Sequence, residues 1–76
     1  MFEKVKELLK DELRIDEKEI TLDAELQNDL GINSLELADL IFACEEKFNI
    51  TIDDADYQIF KTVGDIVNYL NDKVGE

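Results

Sequence analysis

Apolar side chains recur at three- and four-residue spacing in three parts of the chain, with charged residues between them. This is the pattern of amphipathic helices. The repeating positions are Phe2, Val5, Leu9 and Leu13; Leu37, Leu40, Ile41, Cys44 and Phe48; and Val63, Ile66, Val67, Leu70 and Val74. We therefore predict three main helices, the second running from about Ser34 to Phe48. The third is predicted to begin after a Thr62 N-cap that forms a capping box with Asp65.

The helical spacing is lost between the first two helices, in residues 16–33. Gly31 and scattered Asp, Asn and Thr residues oppose a long helix there, and we expect at most one helical turn near residues 25–29. Apolar residues nevertheless continue as anchors for the core: Ile20, Leu22, Leu26, Leu30 and Ile32. A connector of about 18 residues is long for a compact domain, and connectors of that length are usually functional.

The remaining segment adds one short element. Acids open residues 53–59 and suit the positive end of a helix dipole, so a short helix is predicted there. Residues 50–52 have strand-like composition but no second strand to pair with. The predicted fold is therefore all-α: a small four-helix bundle of three main helices plus one short helix, with a long loop between the first and second. With 76 residues, the chain is expected to form a single domain over residues 1–76.

Charge narrows the range of partners. Acidic residues outnumber basic ones 20 to 8, for a formal net charge of -12. Binding to nucleic acid or to an anionic membrane surface requires Lys and Arg, so we expect neither. The favoured partners present positive charge, although the same acidity would also serve solubility alone.

The chain has no His and a single cysteine, Cys44. A disulfide within one chain and a zinc site of the usual Cys/His type are therefore excluded, and no metal site is predicted. Cys44 lies on the apolar stripe of the second helix and is interpreted as a small core residue. We expect a cytoplasmic protein, because the first residues lack the apolar run of a secretory signal and no segment is apolar enough to span a membrane.

Ser34 is the candidate for chemistry. It follows Gly31-Ile32-Asn33 and precedes the apolar pattern of the second helix, so the simplest interpretation is an N-cap. It also ends the long connector, and a phosphate at a helix N-terminus is stabilised by backbone N–H groups and the helix dipole. A modified serine is therefore the alternative to a purely structural one.

The second helix is predicted to carry another apolar strip, opposite the core stripe and bordered by acids. A helix needs only one apolar face to join a core, so the second strip is typical of a docking surface for a basic partner. Single exposed apolar residues are nonetheless common. The candidate docking residues are Leu35, Glu36, Ala38, Asp39, Phe42, Glu45 and Glu46.

The segment from Asp29 to Leu37, which includes Leu30-Gly31-Ile32-Asn33-Ser34-Leu35, resembles the attachment motif of acyl carrier proteins. The end of the predicted second helix, Glu45-Glu46-Lys47-Phe48, and the segment Phe60-Lys61-Thr62-Val63-Gly64-Asp65-Ile66 are similar to the same family. The resemblance covers essentially the whole chain. It implies a carrier that holds acyl groups as thioesters on a covalent 4'-phosphopantetheine arm, transferred from coenzyme A to Ser34 by a carrier-protein synthase, a phosphopantetheinyl transferase.

The resemblance further implies that the helix after the serine recognises the synthase and acyl-processing enzymes through their basic patches. We also expect the protein to be a monomer. Fatty acid biosynthesis or a related pathway is the expected setting. The sequence departs from the family pattern at Asn33, where Asp is common, at Cys44, where a larger aliphatic residue is usual, at Asp53, where Pro is frequent, and at the bulkier Leu37 and Phe42. A specialised carrier for a polyketide, aminoacyl or peptide pathway therefore remains open.

Two other classes of function compete with the carrier. An enzyme is disfavoured, because the usual acid–base and nucleophile sets are missing without His and with a buried Cys. We therefore predict no catalytic residue. An unmodified helical interaction module would explain the acidic outer face equally well and would need no change at Ser34.

Overall fold

In a computed structural model that describes residues 1–75, the chain forms three α-helices: α1, Phe2–Leu13; α2, Ser34–Phe48; and α3, Val63–Val74. Two 3-10 helices, Glu17–Glu19 and Asp54–Ile59, complete the fold. The all-α prediction is confirmed, with three long helices and the expected short one. No strand forms within the described residues, where β pairing is limited to one isolated antiparallel bridge between Glu25 and Thr62.

Two details of the connector differ from the prediction. The one-turn 3-10 helix Glu17–Glu19 was not predicted; the Asp16 side chain caps it by accepting a hydrogen bond from the Lys18 N–H at 3.0 Å. The turn expected near residues 25–29 is a single α-turn, closed by the Asp29 N–H donating to the Glu25 carbonyl at 2.9 Å, and it does not continue as a helix.

Helix α1 packs against both α2 and α3, and the apolar stripes of the three helices meet in one core. Most of the predicted stripe positions are buried. Five are only half-buried because they lie at the edges of the core: Phe2, Leu13, Leu37, Phe48 and Val74. Leu8 is buried as well, although it was not predicted, because α1 is covered on two sides.

The long connector is part of the core. Five of its side chains are buried: Ile20, Ala24, Leu26, Leu30 and Ile32. The prediction that Leu22 is an anchor is wrong, since its side chain is 49% exposed. Backbone hydrogen bonds join the connector to the start of α3, with the Leu26 N–H donating to the Lys61 carbonyl at 2.9 Å. Much of this long loop is therefore structural.

The short helix Asp54–Ile59 is held against α3. The Tyr69 hydroxyl donates to the Asp56 carboxylate at 2.7 Å, and the Tyr69 ring meets Phe60 edge-on with centroids 5.1 Å apart. None of the helices in the described part of the chain is long and apolar enough to cross a membrane. Residues 1–75 contain no group of three or more His, Cys, Asp or Glu side chains placed to hold a metal ion.

Candidate functional site

The first turn of α2 is fixed by its neighbours in sequence. Gly31 adopts φ 68, a left-handed conformation that a side chain would disfavour, and the buried Ile32 then anchors the chain. Asn33 is the N-cap: its side chain accepts from the Glu36 N–H at 2.8 Å, and the Glu36 carboxylate accepts from the Asn33 N–H at 3.1 Å. This reciprocal pair is a capping box.

The interpretation of Ser34 as the N-cap is therefore wrong. Asn33 has the extended backbone of a cap, at φ -88 and ψ 178, and Ser34 is the first helical residue. The periodicity located the helix start correctly but could not decide which of two adjacent polar residues caps it. Because Asn33 performs the capping role, the Ser34 hydroxyl is not needed to cap the helix and is available for modification.

Ser34 is exposed at the N-terminus of α2, and its hydroxyl forms no hydrogen bond with any of the described residues. The backbone N–H groups of Ser34 and Leu35 likewise have no partner within residues 1–75, since a helix leaves its first N–H groups without intrahelical acceptors. A phosphate esterified to the hydroxyl would lie beside these donors and the positive end of the helix dipole. The residues present therefore fit a phosphopantetheine group.

Four of the predicted docking residues point clearly away from the core. Leu35 is 78% exposed and Phe42 is 61% exposed, which makes them the two most exposed large apolar side chains among the described residues. Asp39 and Glu46 are also exposed, and Ala38 is half-buried between them. The outer face of α2 is therefore an acidic surface with two prominent apolar side chains.

The other two predicted docking residues are engaged elsewhere. Glu36 is half-buried and belongs to the capping box of Asn33. Glu45 is half-buried too, and its carboxylate accepts a hydrogen bond from the Ile52 N–H at 2.8 Å, which fixes the loop after α2. Both carboxylates accept hydrogen bonds from backbone N–H groups. They therefore contribute negative charge to the surface but are less free to form ion pairs with a partner protein.

A groove of about 330 Å³ opens beside the first turn of α2, and Leu37, Tyr57 and Phe60 supply its apolar lining. Leu37 lies three residues after Ser34, so the two side chains share a face of the helix. Sequence reasoning assigned Leu37 to the core and did not single out Tyr57 or Phe60. The three-residue spacing from Ser34 to Leu37 is the signal that could have pointed to the groove.

A second groove, of about 490 Å³, lies between α1 and α2. Phe42 and Asp39 line it from α2, and Leu8 and Glu12 line it from α1. Sequence reasoning did not single out the two α1 residues, although the spacing of four between Leu8 and Glu12 places them on one side of the helix. Their position beside Asp39 and Phe42 of α2 depends on tertiary packing, which helical spacing alone does not predict.

Cys44 is confirmed as a core residue, with only 1% of its surface exposed. Burial, helped by the neighbouring charge of Glu45, raises the pKa of the Cys44 thiol from 9.0 to about 12. The thiol is therefore protonated near neutral pH and cannot act as a nucleophile there.

Comparison with known proteins agrees with this geometry. The family described as "Phosphopantetheine attachment site" matches residues 3–70. An acyl carrier protein of Petrotoga mobilis is 49% identical over 74 residues, which cover 97% of this chain and 87% of that protein. The acyl carrier protein of Thermotoga maritima is 44% identical over 99% of this chain and 93% of its own length. One from Clostridium perfringens is 44% identical over 95% of each chain.

Proposed function

The chain belongs to the acyl carrier protein family, and from this premise we propose that Ser34 is the point at which its 4'-phosphopantetheine arm is attached. In this role the protein is a carrier rather than a catalyst. The observation that carries the proposal is the Ser34 hydroxyl itself, which is exposed and has no hydrogen-bond partner among the described residues.

The attachment reaction follows from the chemistry of the hydroxyl. The Ser34 oxygen forms a bond to the phosphorus on the pantetheine side of the pyrophosphate of coenzyme A, and loses its proton to a base of the synthase. The P–O bond within the pyrophosphate breaks, and 3',5'-ADP leaves with that electron pair. The Ser34 and Leu35 N–H groups would then be available to hold the phosphodiester that remains.

Once attached, the arm supplies a terminal thiol that carries acyl groups as thioesters. The protein's own contribution is to hold and present the arm at the rigid first turn of α2. The groove beside Leu37, Tyr57 and Phe60 starts on the same side of the helix, and its apolar lining is suited to the aliphatic parts of an acyl chain.

The partners we infer are the carrier-protein synthase and acyl-processing enzymes that present basic patches. Support comes from the net charge of -12 and from the exposed Leu35, Asp39, Phe42 and Glu46 along α2. Electrostatic attraction of this kind mainly accelerates association. A monomeric state and a cytoplasmic location remain predictions from the sequence. Fatty acid biosynthesis or a related pathway is the proposed setting.

Intact-mass spectrometry tests the proposal directly. The protein is incubated with coenzyme A and a carrier-protein synthase, and we expect it to gain the mass of one phosphopantetheine. Fragmentation should place the added mass on Ser34, the only serine in the chain. An unmodified interaction module would gain nothing, and a gain located on another residue would contradict the assignment.

A further inference from the structure

The groove between α1 and α2 differs from the outer face of α2 because two helices build it. Its base is apolar: Leu8 of α1 is buried and Ala43 of α2 is half-buried. Phe42 stands at its edge with 61% of its surface exposed. With a volume of about 490 Å³, the groove can accommodate one large apolar side chain from another molecule.

The rim of the groove is predominantly acidic. Glu12 lies on the α1 side, Asp39 and Glu46 lie on the α2 side, and Lys47 is the one basic residue among those that line it. Within residues 1–75, the carboxylates of Glu12, Asp39 and Glu46 form no ion pair, since the ion pairs described there both involve Glu17. Their charge is therefore available to a partner, and that partner must carry Lys or Arg to complement it.

The position of the groove indicates which partner covers it. Phe42 follows Ser34 by eight residues, which corresponds to about 12 Å along the helix axis. A protein interface of ordinary size covers about 800 Å² on each partner, a patch of about 16 Å radius. An enzyme whose active site sits on Ser34 is therefore large enough to reach this groove.

We propose that the groove is a docking site for the enzyme that modifies Ser34, with Glu12 of α1 acting as a recognition residue alongside those of α2. The occupant is a segment that presents one bulky apolar side chain flanked by Lys or Arg. The apolar side chain lies between Leu8 and Phe42, and the basic residues face Glu12, Asp39 and Glu46. This inference rests on the proposed function, and it extends the recognition surface to a second helix.

Charge reversal on α1 tests the inference. Glu12→Lys is compared with Glu7→Lys, an exposed residue on the same helix that does not line the groove. The readout is kcat/KM for coenzyme A-dependent modification by a carrier-protein synthase. At about 10 mM ionic strength, we expect Glu12→Lys to lose roughly fivefold and Glu7→Lys less than twofold. The gap should shrink at about 150 mM, where the Debye length falls from about 30 Å to about 8 Å.

Equal losses in the two variants would overturn the role of Glu12. That result differs from failure of the proposed function, in which the wild-type protein would gain no phosphopantetheine at all. If wild type is modified normally while Glu12→Lys and Glu7→Lys behave alike, the attachment site stands and the two-helix docking site does not.

The apolar part of the inference has its own variant. Ala43→Leu fills the base of the groove without changing charge, and Leu is a good helix former, so the helix itself is preserved. We expect a severalfold loss of kcat/KM that does not respond to salt. Thermal melting checks that the variant folds. If Ala43→Leu does not fold, Phe42→Ala removes an exposed side chain instead and should show the same loss. An unchanged kcat/KM in whichever of the two variants folds would overturn apolar insertion.

Discussion

The N-termini of α2 and α3 have the same local capping motif but lie in different surroundings. At α2, Asn33 and Glu36 form a capping box; at α3, Thr62 and Asp65 form another. The distances match closely: the cap side chain accepts from the N–H of the third helical residue at 2.8 Å in α2 and 3.2 Å in α3. By capping alone the two helix starts are equivalent.

The first two residues after the cap are covered by other parts of the chain in α3 but not in α2. At α3, Val63 is fully buried and its N–H donates to the Ala24 carbonyl at 3.0 Å, while the Gly64 N–H donates to the Leu22 carbonyl at 2.9 Å. The Leu22 oxygen would lie 3.0 Å from any Cβ added at Gly64, so the connector sits directly on this helix end. At α2, the corresponding residues, Ser34 and Leu35, are exposed.

The hydroxyl groups are also used differently. The Thr62 hydroxyl is the cap itself and accepts the Asp65 N–H, whereas Asn33 performs that task at α2 and leaves the Ser34 hydroxyl without a partner in the described chain. A capping motif therefore does not distinguish a helix start that the rest of the chain covers from one that is open to solvent. The distinction lies in whether the N–H groups that follow the cap donate hydrogen bonds to another part of the chain.

Replacing Ser34 should have the largest effect on function and almost none on stability. We expect Ser34→Ala to abolish phosphopantetheine attachment while the free energy of unfolding changes by less than about 0.5 kcal/mol, because Asn33 keeps the cap and Ala suits a helix. Labelling with a fluorescent coenzyme A analogue and thermal melting give the two readouts. Thr62→Ala is the matched control at α3 and should still be labelled. Labelling of the Ser34→Ala variant would refute the assignment.

Thiol reactivity separates the inside of α2 from its exposed start. Because the pKa of Cys44 is raised to about 12, its thiolate fraction at pH 8 is very small. The arm thiol is an alkyl thiol at the end of the arm, so burial does not raise its pKa, and it should react with iodoacetamide on the order of a hundredfold faster or more. Native protein should thus show one fast thiol after loading and none before it.

Denaturant provides the control for this measurement. Unfolding exposes Cys44 and restores an ordinary pKa, so the unloaded protein should then react readily. If the native, unloaded protein reacted as fast as the denatured one, Cys44 would not be a buried core residue.

Removing the N-cap side chain of α2 or of α3 should affect stability equally but modification differently. Asn33→Ala and Thr62→Ala should each lower the free energy of unfolding by about 1 kcal/mol, since each leaves a backbone N–H without its acceptor. Only Asn33→Ala is expected also to slow modification, because it loosens the turn that holds Ser34. Urea unfolding and steady-state labelling measure the two effects. Equal slowing in both variants would indicate a general loss of structure rather than a local role of Asn33.

Much of the fold follows from the sequence because it depends on local spacing. The bounds of α2, the cap at Thr62 and the inward position of Cys44 all follow from helical periodicity and capping chemistry. The identity of the α2 cap does not, because Asn33 and Ser34 are both good caps and only the backbone conformation decides between them.

The connector was harder to predict because long-range contacts override its hydrophobic pattern. Leu22 is the more apolar residue, but Ala24 is the one that is buried. The carbonyls of both residues bind N–H groups at the start of α3, and these contacts set the direction of the chain. The groove lined by Glu12 and Phe42 is missed for the same reason, since 30 residues separate its two sides.

The smallest expected effect concerns the charge of residue 33. Members of the acyl carrier protein family commonly have Asp before the modified serine, and this chain has Asn33. Asp is as good an N-cap as Asn and its charge favours a helix N-terminus, so Asn33→Asp should preserve the cap that Glu36 completes.

The added charge should nonetheless change recognition. Asn and Asp have nearly the same shape, so the variant adds a Coulomb attraction to a basic group on the synthase without altering the surface. A partly exposed pair contributes on the order of 1 kcal/mol or less, which corresponds to a severalfold rise in kcat/KM. Because screening weakens such a pair, the gain should shrink as salt is added. Kinetics of the single variant at two ionic strengths measure both effects. A variant that is no faster than wild type, or whose gain ignores salt, would show that Asn33 serves the capping box alone and that charge at this position does not govern recognition.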